Sequence, residues 1–253
     1  MKSVSDFNVY GYDINKYISP NKLDKLPSNA DFLHIAYPYT DKFVNITLHY
    51  MDKFTPRNIV IHSTVMPGTT RLIHKESGKP IAYSPVRGKH PNIKGHLVFW
   101  SKWVSSYPED DLQIFIDHLK KAGFKVKTTV KPETLELAKL FETAYRAVMI
   151  ATWHEMHRLS HKYNASLEDV AEFIAEVQDV LRDRPVYYPD CISGHCLIPN
   201  TQILDKVDPN SIWRFVLKSN RKREEELKDE ELRKEVEAVK KVSKKLAPAW
   251  YYE

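Results

Sequence analysis

Glycine is scarce: seven in 253 residues, under 3%, where about 7% is usual. None of the seven falls in a G-x-G-x-x-G or G-x-x-x-x-G-K-[ST] arrangement. The glycine cradles that hold dinucleotides and triphosphates are therefore not among these residues. Cysteine is nearly absent, with only Cys191 and Cys196, which excludes a disulfide framework and fits a reducing compartment. No apolar run reaches 18 residues, so no membrane-spanning helix is expected. The opening residues, MKSVSDFNVYGYD, carry no apolar stretch of signal-peptide length, and a cytoplasmic location is the expectation. A charge excess of one sign is missing too. Lys and Arg number 38 against 33 Asp and Glu, and the two signs are mixed rather than gathered in the basic stripe of a nucleic-acid binder. Glutamine is limited to Gln113, Gln178 and Gln202 among many Lys and Glu, a bias compatible with a thermophilic source. What remains is 42% apolar and 28% charged residues, enough for a core and too apolar for a disordered chain.

Short apolar runs alternate with helical periods through the first half. Residues 7–14 (FNVYGYDI), 30–37, 58–62, 80–83, 95–99 and 124–130 read as strands, and 41–54 and 109–121 as helices, with another helix starting near Thr69–Arg71. Alternation of this kind predicts an α/β domain with a largely parallel sheet over about residues 1–130. Ligands of open α/β sheets sit beyond the carboxyl ends of the strands, which places Asp13, the 63–70 turn and the 84–88 turn on the candidate binding edge.

Helix dominates residues 131–253. A pattern from Pro132 to about Tyr163 predicts a single long helix, and its apolar positions (Leu135, Leu137, Leu140, Phe141, Ala144, Val148, Met149, Ile150, Ala151) cover more than one face. A helix apolar on several sides is buried in a core or an interface. Ser166, with Asp169 three residues on, reads as the cap of a second helix. Pro185, Pro189 and Pro199 bracket an irregular segment over 185–200, and Leu227, Leu232, Val236, Val239, Val242 and Leu246 mark a charged amphipathic helix. The tail Trp250-Tyr251-Tyr252 is expected to dock rather than hang free.

Few residues invite a chemical reading. Cys196 lies in Ser193-Gly194-His195-Cys196-Leu197-Ile198-Pro199-Asn200, where a thiol beside a histidine in a glycine- and proline-framed loop suits a nucleophile. A lone cysteine is more often a small buried hydrophobe. Its spacing from Cys191 is poor for zinc, and no metal site is expected. His154, His157 and His161 share a helix face but do not form H-E-x-x-H, so packing is the better account. His34, His90, His96 and His195 are scattered. Arg87, at a strand end, suits a phosphate or carboxylate, and Asp13 stands where a Rossmann fold places its ribose-binding acid.

Four segments together resemble the nucleotide-sugar dehydrogenases, the UDP-glucose, UDP-N-acetylmannosamine and GDP-mannose dehydrogenase group. Val9-Tyr10-Gly11-Tyr12-Asp13-Ile14-Asn15 resembles the family's second strand and its ribose-binding acid. Ser63-Thr64-Val65-Met66-Pro67-Gly68-Thr69-Thr70 is similar to its turn near the nicotinamide. Glu136-Leu137-Ala138-Lys139-Leu140 is similar to the helix with its catalytic lysine, and Gly194-His195-Cys196 with Pro199 and Asn200 resembles its nucleophile loop. The resemblance implies an incomplete Rossmann-like parallel sheet over 1–130, followed over 131–253 by a helical dimerisation domain like that of 6-phosphogluconate dehydrogenase. It implies catalytic roles for Cys196, Lys139, Asn200 and Thr143, cofactor contacts from Asp13, Ser63, Thr64 and Pro67, and substrate contacts from Arg87, His195 and Gly194. In that family NAD oxidises an alcohol through an aldehyde, which the cysteine traps, to a thioester that water releases as a carboxylate.

This chain departs from the pattern. The family's first strand, glycine loop and C-terminal sugar domain have no counterpart in it. Val86 stands in the place of a proton-transferring glutamate, Thr143 in that of an asparagine, Asn200 in that of an aspartate and Ser193 in that of a glycine. The expected function is therefore a divergent relative that acts as a binding or assembly module. The alternatives are an NAD(P)-dependent oxidoreductase of a nucleotide sugar or related alcohol using Cys196 and Lys139, with NAD as the cofactor in that case alone, and a group-transfer enzyme with a repurposed pocket. A homodimer through helix 133–163 is expected, with a possible protein partner at the sheet edge left without its first strand, and no nucleic acid or membrane.

Overall fold

The computed structural model describes residues 5–88 and 92–246. His90 and the tail Trp250-Tyr251-Tyr252 lie outside the described residues. The chain divides into two compact units, residues 1–139 and 140–253.

The first unit is built on five strands: β1 (Phe32–Ile35), β2 (Asn58–Ile61), β3 (Ile81–Tyr83), β4 (Lys102–Tyr107) and β5 (Val126–Thr128). They lie side by side in sequence order. β1, β2 and β3 run parallel, β4 runs antiparallel to β3, and β5 returns parallel to β4. The fold is thus a Rossmann-like α/β sheet with mostly parallel pairings, in which the single antiparallel pairing, β3 with β4, sets β4 and β5 against the first three strands. Helices α1 (Phe43–Phe54) and α2 (Thr69–Ser77) follow β1 and β2, α3 (Ile93–Phe99) follows β3, and α4 (Leu112–Lys121) follows β4.

Strand alternation sends side chains to two cores. Ile59 and Ile61 join Ile35, Phe43, Ile73, Ile81 and Tyr83 on one face. Val60 joins Ala82, Val104, Phe115 and Leu119 on the other. The central strand β2 is thereby apolar on both sides, as a strand with two covered faces requires. Gly68 begins α2 at φ +91°, a backbone that residues with a Cβ rarely adopt.

Three readings of the first half are corrected. Residues 7–14 form no strand. The Gly11 amide donates to Asn21 Oδ1 (2.9 Å), the Asp13 amide to Ser19 Oγ (3.0 Å) and the Asn15 amide to Asp13 Oδ1 (2.8 Å), and such local side-chain acceptors compete with a ladder. Asp13 is consequently exposed in a turn rather than placed at a strand end. Residues 95–99 are helical, since the His96 and Trp100 amides donate to Asn92 O and His96 O. A short apolar run alone does not separate helix from strand. The strand is instead β4, whose sequence KWVSSY carries no unbroken apolar run.

The second unit is helical. The long helix α5 (Pro132–Lys162) begins in the first unit and continues into the second, which adds α6 (Leu167–Leu181), α7 (Leu197–Val207), α8 (Ile212–Glu226) and α9 (Glu230–Lys245). Ala144, Ala147 and Ala151, spaced at i, i+3 and i+7, are fully buried on α5 and let neighbouring segments approach it closely. The Ser166 hydroxyl caps α6 by accepting from the Asp169 amide, and Asp229 caps α9. The irregular segment ends earlier than expected, because α7 already starts at Leu197 with Pro199 in its first turn, where a missing N–H costs little.

Candidate functional site

In the first unit, the turns after β2 and β3 meet at the carboxyl ends of the strands, the usual ligand edge of such a sheet. The turn after β2 is held by hydrogen bonds that are buried or partly buried. Ser63 Oγ donates to Tyr37 O at 2.6 Å, and Thr69 Oγ1 to Met66 O at 2.6 Å. The Gly68 amide donates to Glu136 Oε2 at 2.6 Å, and the Thr70 amide and hydroxyl donate to Glu136 Oε1 at 2.9 and 2.7 Å. Glu136 is fully buried. Burial raises its carboxyl above the ordinary range, and the donors from Thr70 and Gly68 oppose that shift. The start of α2, a natural anion site, thus already holds a carboxylate of the chain itself. Thr64 and Pro67 lie half-buried in the same turn, and Lys139 is half-buried one helical turn beyond Glu136.

Behind these turns lies a polar cluster that the sequence did not announce. His62 Nδ1 is 2.6 Å from Ser84 O, so it carries the proton and donates. His62 Nε2 then accepts from His34 Nδ1 at 2.9 Å, and His34 Nε2 accepts from His118 Nε2 at 3.0 Å. One tautomer assignment satisfies all three rings in their neutral form. Burial pushes His34 down to about 3, with the nearby His118 and Lys102 adding to it. Burial takes His118 down to about 4 and holds His62 well below the usual range. Phe32 stacks on His118 with ring centroids 3.6 Å apart. Lys102, at the start of β4, is buried and donates from Nζ to Ser84 O (2.8 Å) and Pro85 O (2.9 Å). Arg87 in the 84–88 turn holds its guanidinium 4.8 Å from the Trp100 ring centroid.

In the second unit, Cys196 is an exposed free thiol at the N-cap of α7. Gly194 and His195 beside it are also exposed, Gly194 at φ +93° with open space where a Cβ would stand. Asn200 is 3% exposed, and its Nδ2 donates to Thr143 Oγ1 at 2.7 Å. The structure therefore brings Thr143 and Asn200 together, bonded to each other. Cys191 is a free thiol raised by burial first and then by Asp190 and Glu224.

His154 and His157 on α5 are buried packing groups. His154 Nε2 donates to Asp190 O at 2.8 Å. His157 Nδ1 accepts from Arg223 Nη1 at 3.0 Å, while Nε2 bonds Glu235. Arg223, 1% exposed, also reaches His154 O at 3.0 Å and pairs with Glu226 at 3.3 Å.

Lys102 and the triad His34, His62 and His118 escaped the sequence reading. The available signal was period two: Phe32 and His34, like Val60 and His62, alternate onto one face of nearly apolar strands.

Comparison with known proteins follows these landmarks. Residues 133–222 match the model of the UDP-glucose/GDP-mannose dehydrogenase family, central domain. UDP-N-acetyl-D-mannosamine dehydrogenase of Pyrococcus horikoshii is 25% identical over 181 residues, which cover 66% of this chain and 41% of that protein. The enzyme of the same name from Methanocaldococcus jannaschii is 26% identical, covering 88% of this chain and 54% of that protein. The chain thus spans about half the length of the curated relatives it matches. The solved UDP-D-ManNAc dehydrogenase from Pyrococcus horikoshii superposes with a TM-score of 0.63 at 20% identity, covering 77% of this chain and 50% of that one. A protein resembling 3-hydroxyacid dehydrogenases superposes with a TM-score of 0.57 at 13% identity, covering 80% and 76%. The chain is thus similar to the nucleotide-sugar dehydrogenases, and residues 133–222 match their central domain.

Proposed function

We propose that this chain is a divergent nucleotide-sugar-dehydrogenase-like protein that acts as a binding or assembly module and does not carry out ordinary four-electron sugar oxidation. The observation that carries the reading is the pair Thr143 and Asn200. They stand where the resemblance expects an asparagine and an aspartate to handle oxygen and water, and they are bonded to each other, with Asn200 buried. Neither residue can act as a base. Val86, in the place of the expected glutamate, transfers no proton either. Cys196 and Lys139 remain, yet a thioester formed on Cys196 lacks a carboxylate from these positions to activate water for its release. The Glu136 carboxylate on the Gly68 and Thr70 amides supports a turn built for rigidity. The candidate ligand edge is formed by the 62–70 and 84–88 turns with Arg87.

The test is a turnover assay with NAD and, in turn, UDP-glucose, UDP-N-acetylmannosamine and GDP-mannose, read both as NADH and as uronate by mass spectrometry. No uronate is expected from the wild-type chain, even at high enzyme concentration. Uronate that disappears in Cys196→Ala would overturn the reading. A calorimetric titration with NAD separates a surviving nicotinamide pocket, which gives saturable heat at one site per chain, from a fold that binds something else. We further propose that the chain forms a homodimer through α5, on the surface described in the Discussion. Among the described residues no helix is long and apolar enough to cross a membrane.

A further inference from the structure

Helix α6 is apolar over more of its circumference than the described residues cover. Leu167, Ala171 and Ala175 share the side that packs into the core with Trp153 and Val239. At 3.6 residues per turn, Val170, Phe173, Val177, Val180 and Leu181 fall in a second sector, about 100° wide. Phe173 is 75% exposed, Val180 79% and Leu181 59%, with Val170 and Val177 half-buried beside them. The acidic residues Glu168, Asp169, Glu172, Glu176 and Asp179 take the remaining side. A helix with so little of its surface charged is built to be covered on the rest.

The neighbouring helix α9 leads the chain to this stripe. α6 and α9 pack side by side. His161, ahead of α6, lies 3.7 Å from Glu235 near the start of α9. Ser243, near the end of α9, donates to Val186 O, beyond the end of α6, at 2.8 Å. The two helices therefore run in the same direction. Leu246, the last described residue, stands by the C-terminal end of α6 and packs on the same core as Ile174 and Ala175. Val180 and Leu181 are at that end.

We propose that Trp250-Tyr251-Tyr252 of the same chain docks on the α6 stripe and closes it as an intramolecular strap. These residues lie outside the described ones, and their sequence and reach carry the assignment. Pro248 keeps the chain from extending α9. Trp250 and Tyr252 follow Leu246 within a reach of about 13 and 20 Å, while Phe173 lies about 12 Å along α6 from Leu181. Folding back along α6 therefore spans the stripe. Three consecutive aromatic rings bring large apolar faces with polar tips, which suits a shallow surface of valine, leucine and phenylalanine. Tethering decides the occupant. A segment this close competes at an effective concentration of about millimolar, far above a second copy at micromolar protein. The inference is independent of whether the chain binds NAD or a sugar.

The test places a photo-crosslinker in the full chain, Phe173→benzoylphenylalanine, at a position exposed enough to leave the core untouched. Isotope-labelled and unlabelled chains are mixed in equal amounts before irradiation, and the adducts are mapped by mass spectrometry. The main adduct is expected to join position 173 to residues 247–253 of the same chain. Adding Trp250→Ser and Tyr252→Ser is expected to cut its yield about fivefold or more, since aromatic anchors carry such contacts, with the far-ultraviolet circular dichroism unchanged. An undiminished yield in that variant would mean that nearness alone makes the adduct, and overturns the proposal. So do adducts formed only between labelled and unlabelled chains, which give the stripe to a second copy. Adducts that miss residues 247–253 altogether overturn it as well.

Discussion

Three imidazoles in a row, His118 to His34 to His62, keep their bonds in a single pattern of neutral rings. Their placement couples stability to pH. Each ring has an ordinary value of 6.5 when the chain is unfolded, and burial lowers it in the fold, to about 3 for His34 and about 4 for His118. Below 6.5 the unfolded chain binds protons that the folded chain refuses. The stability these neutral rings allow is therefore complete above pH 6.5 and is lost as the pH falls from there toward 4. The slope is at most about 1.4 kcal/mol per pH unit for each group. The urea midpoint is expected to fall between pH 7 and pH 5, while NMR shows the His34 ring still neutral at pH 5. A His34 ring that titrates above pH 6 would contradict the buried chain of bonds. Lys102 shares Ser84 O with this row. A change in the protonation of His62 therefore reaches the turn that carries Arg87.

The turn into α2 shows what one side chain does for an element. Glu136 arrives from α5 and accepts two backbone N–H groups and one hydroxyl. Glu136→Ala would strand these buried donors, each worth about 1 to 3 kcal/mol when left unsatisfied. A loss of about 3 kcal/mol in urea unfolding is expected, and a loss below 1 kcal/mol would mean that the turn holds itself. Elements with strong local signals were legible in the sequence: the apolar run of β2, the unbroken period of α5, the Ser166 cap of α6. The Ser63–Thr70 segment was legible as a turn between β2 and α2. Residues 7–14 misled because alternation there reflects side chains that bond their own backbone. Strand β4 hid because Lys102, Ser105 and Ser106 interrupt its apolar pattern, though all three are buried. Lone histidines such as His34 carry no period at all, and only the sheet register, with His34 opposite Val60 and His62 just beyond, brings them together.

At the scale of the whole molecule, the described residues leave large apolar side chains on α5 and α6 exposed. At 3.6 residues per turn, Phe141, Tyr145, Thr152, Leu159 and Tyr163 fall within a narrow sector of α5, and all five are exposed. Phe173, Val180 and Leu181 on α6 are exposed as well. A stripe of exposed large side chains along one helix face suits an interface, and a surface that meets its own copy about a two-fold axis closes into a dimer without open ends. Burying Tyr145 and Leu159 contributes about 1.5 to 3 kcal/mol each. Losing both should weaken a dimer by a hundredfold or more, since about 1.4 kcal/mol is a tenfold change. Sedimentation equilibrium at micromolar protein is expected to give a dimer for the wild-type chain. Tyr145→Asp with Leu159→Asp is expected to give a monomer with unchanged far-ultraviolet circular dichroism, because both side chains already face solvent within the chain. A wild-type monomer under these conditions would remove the self-association reading and leave the stripe for a different partner. A double variant that stays dimeric would move the interface to another face.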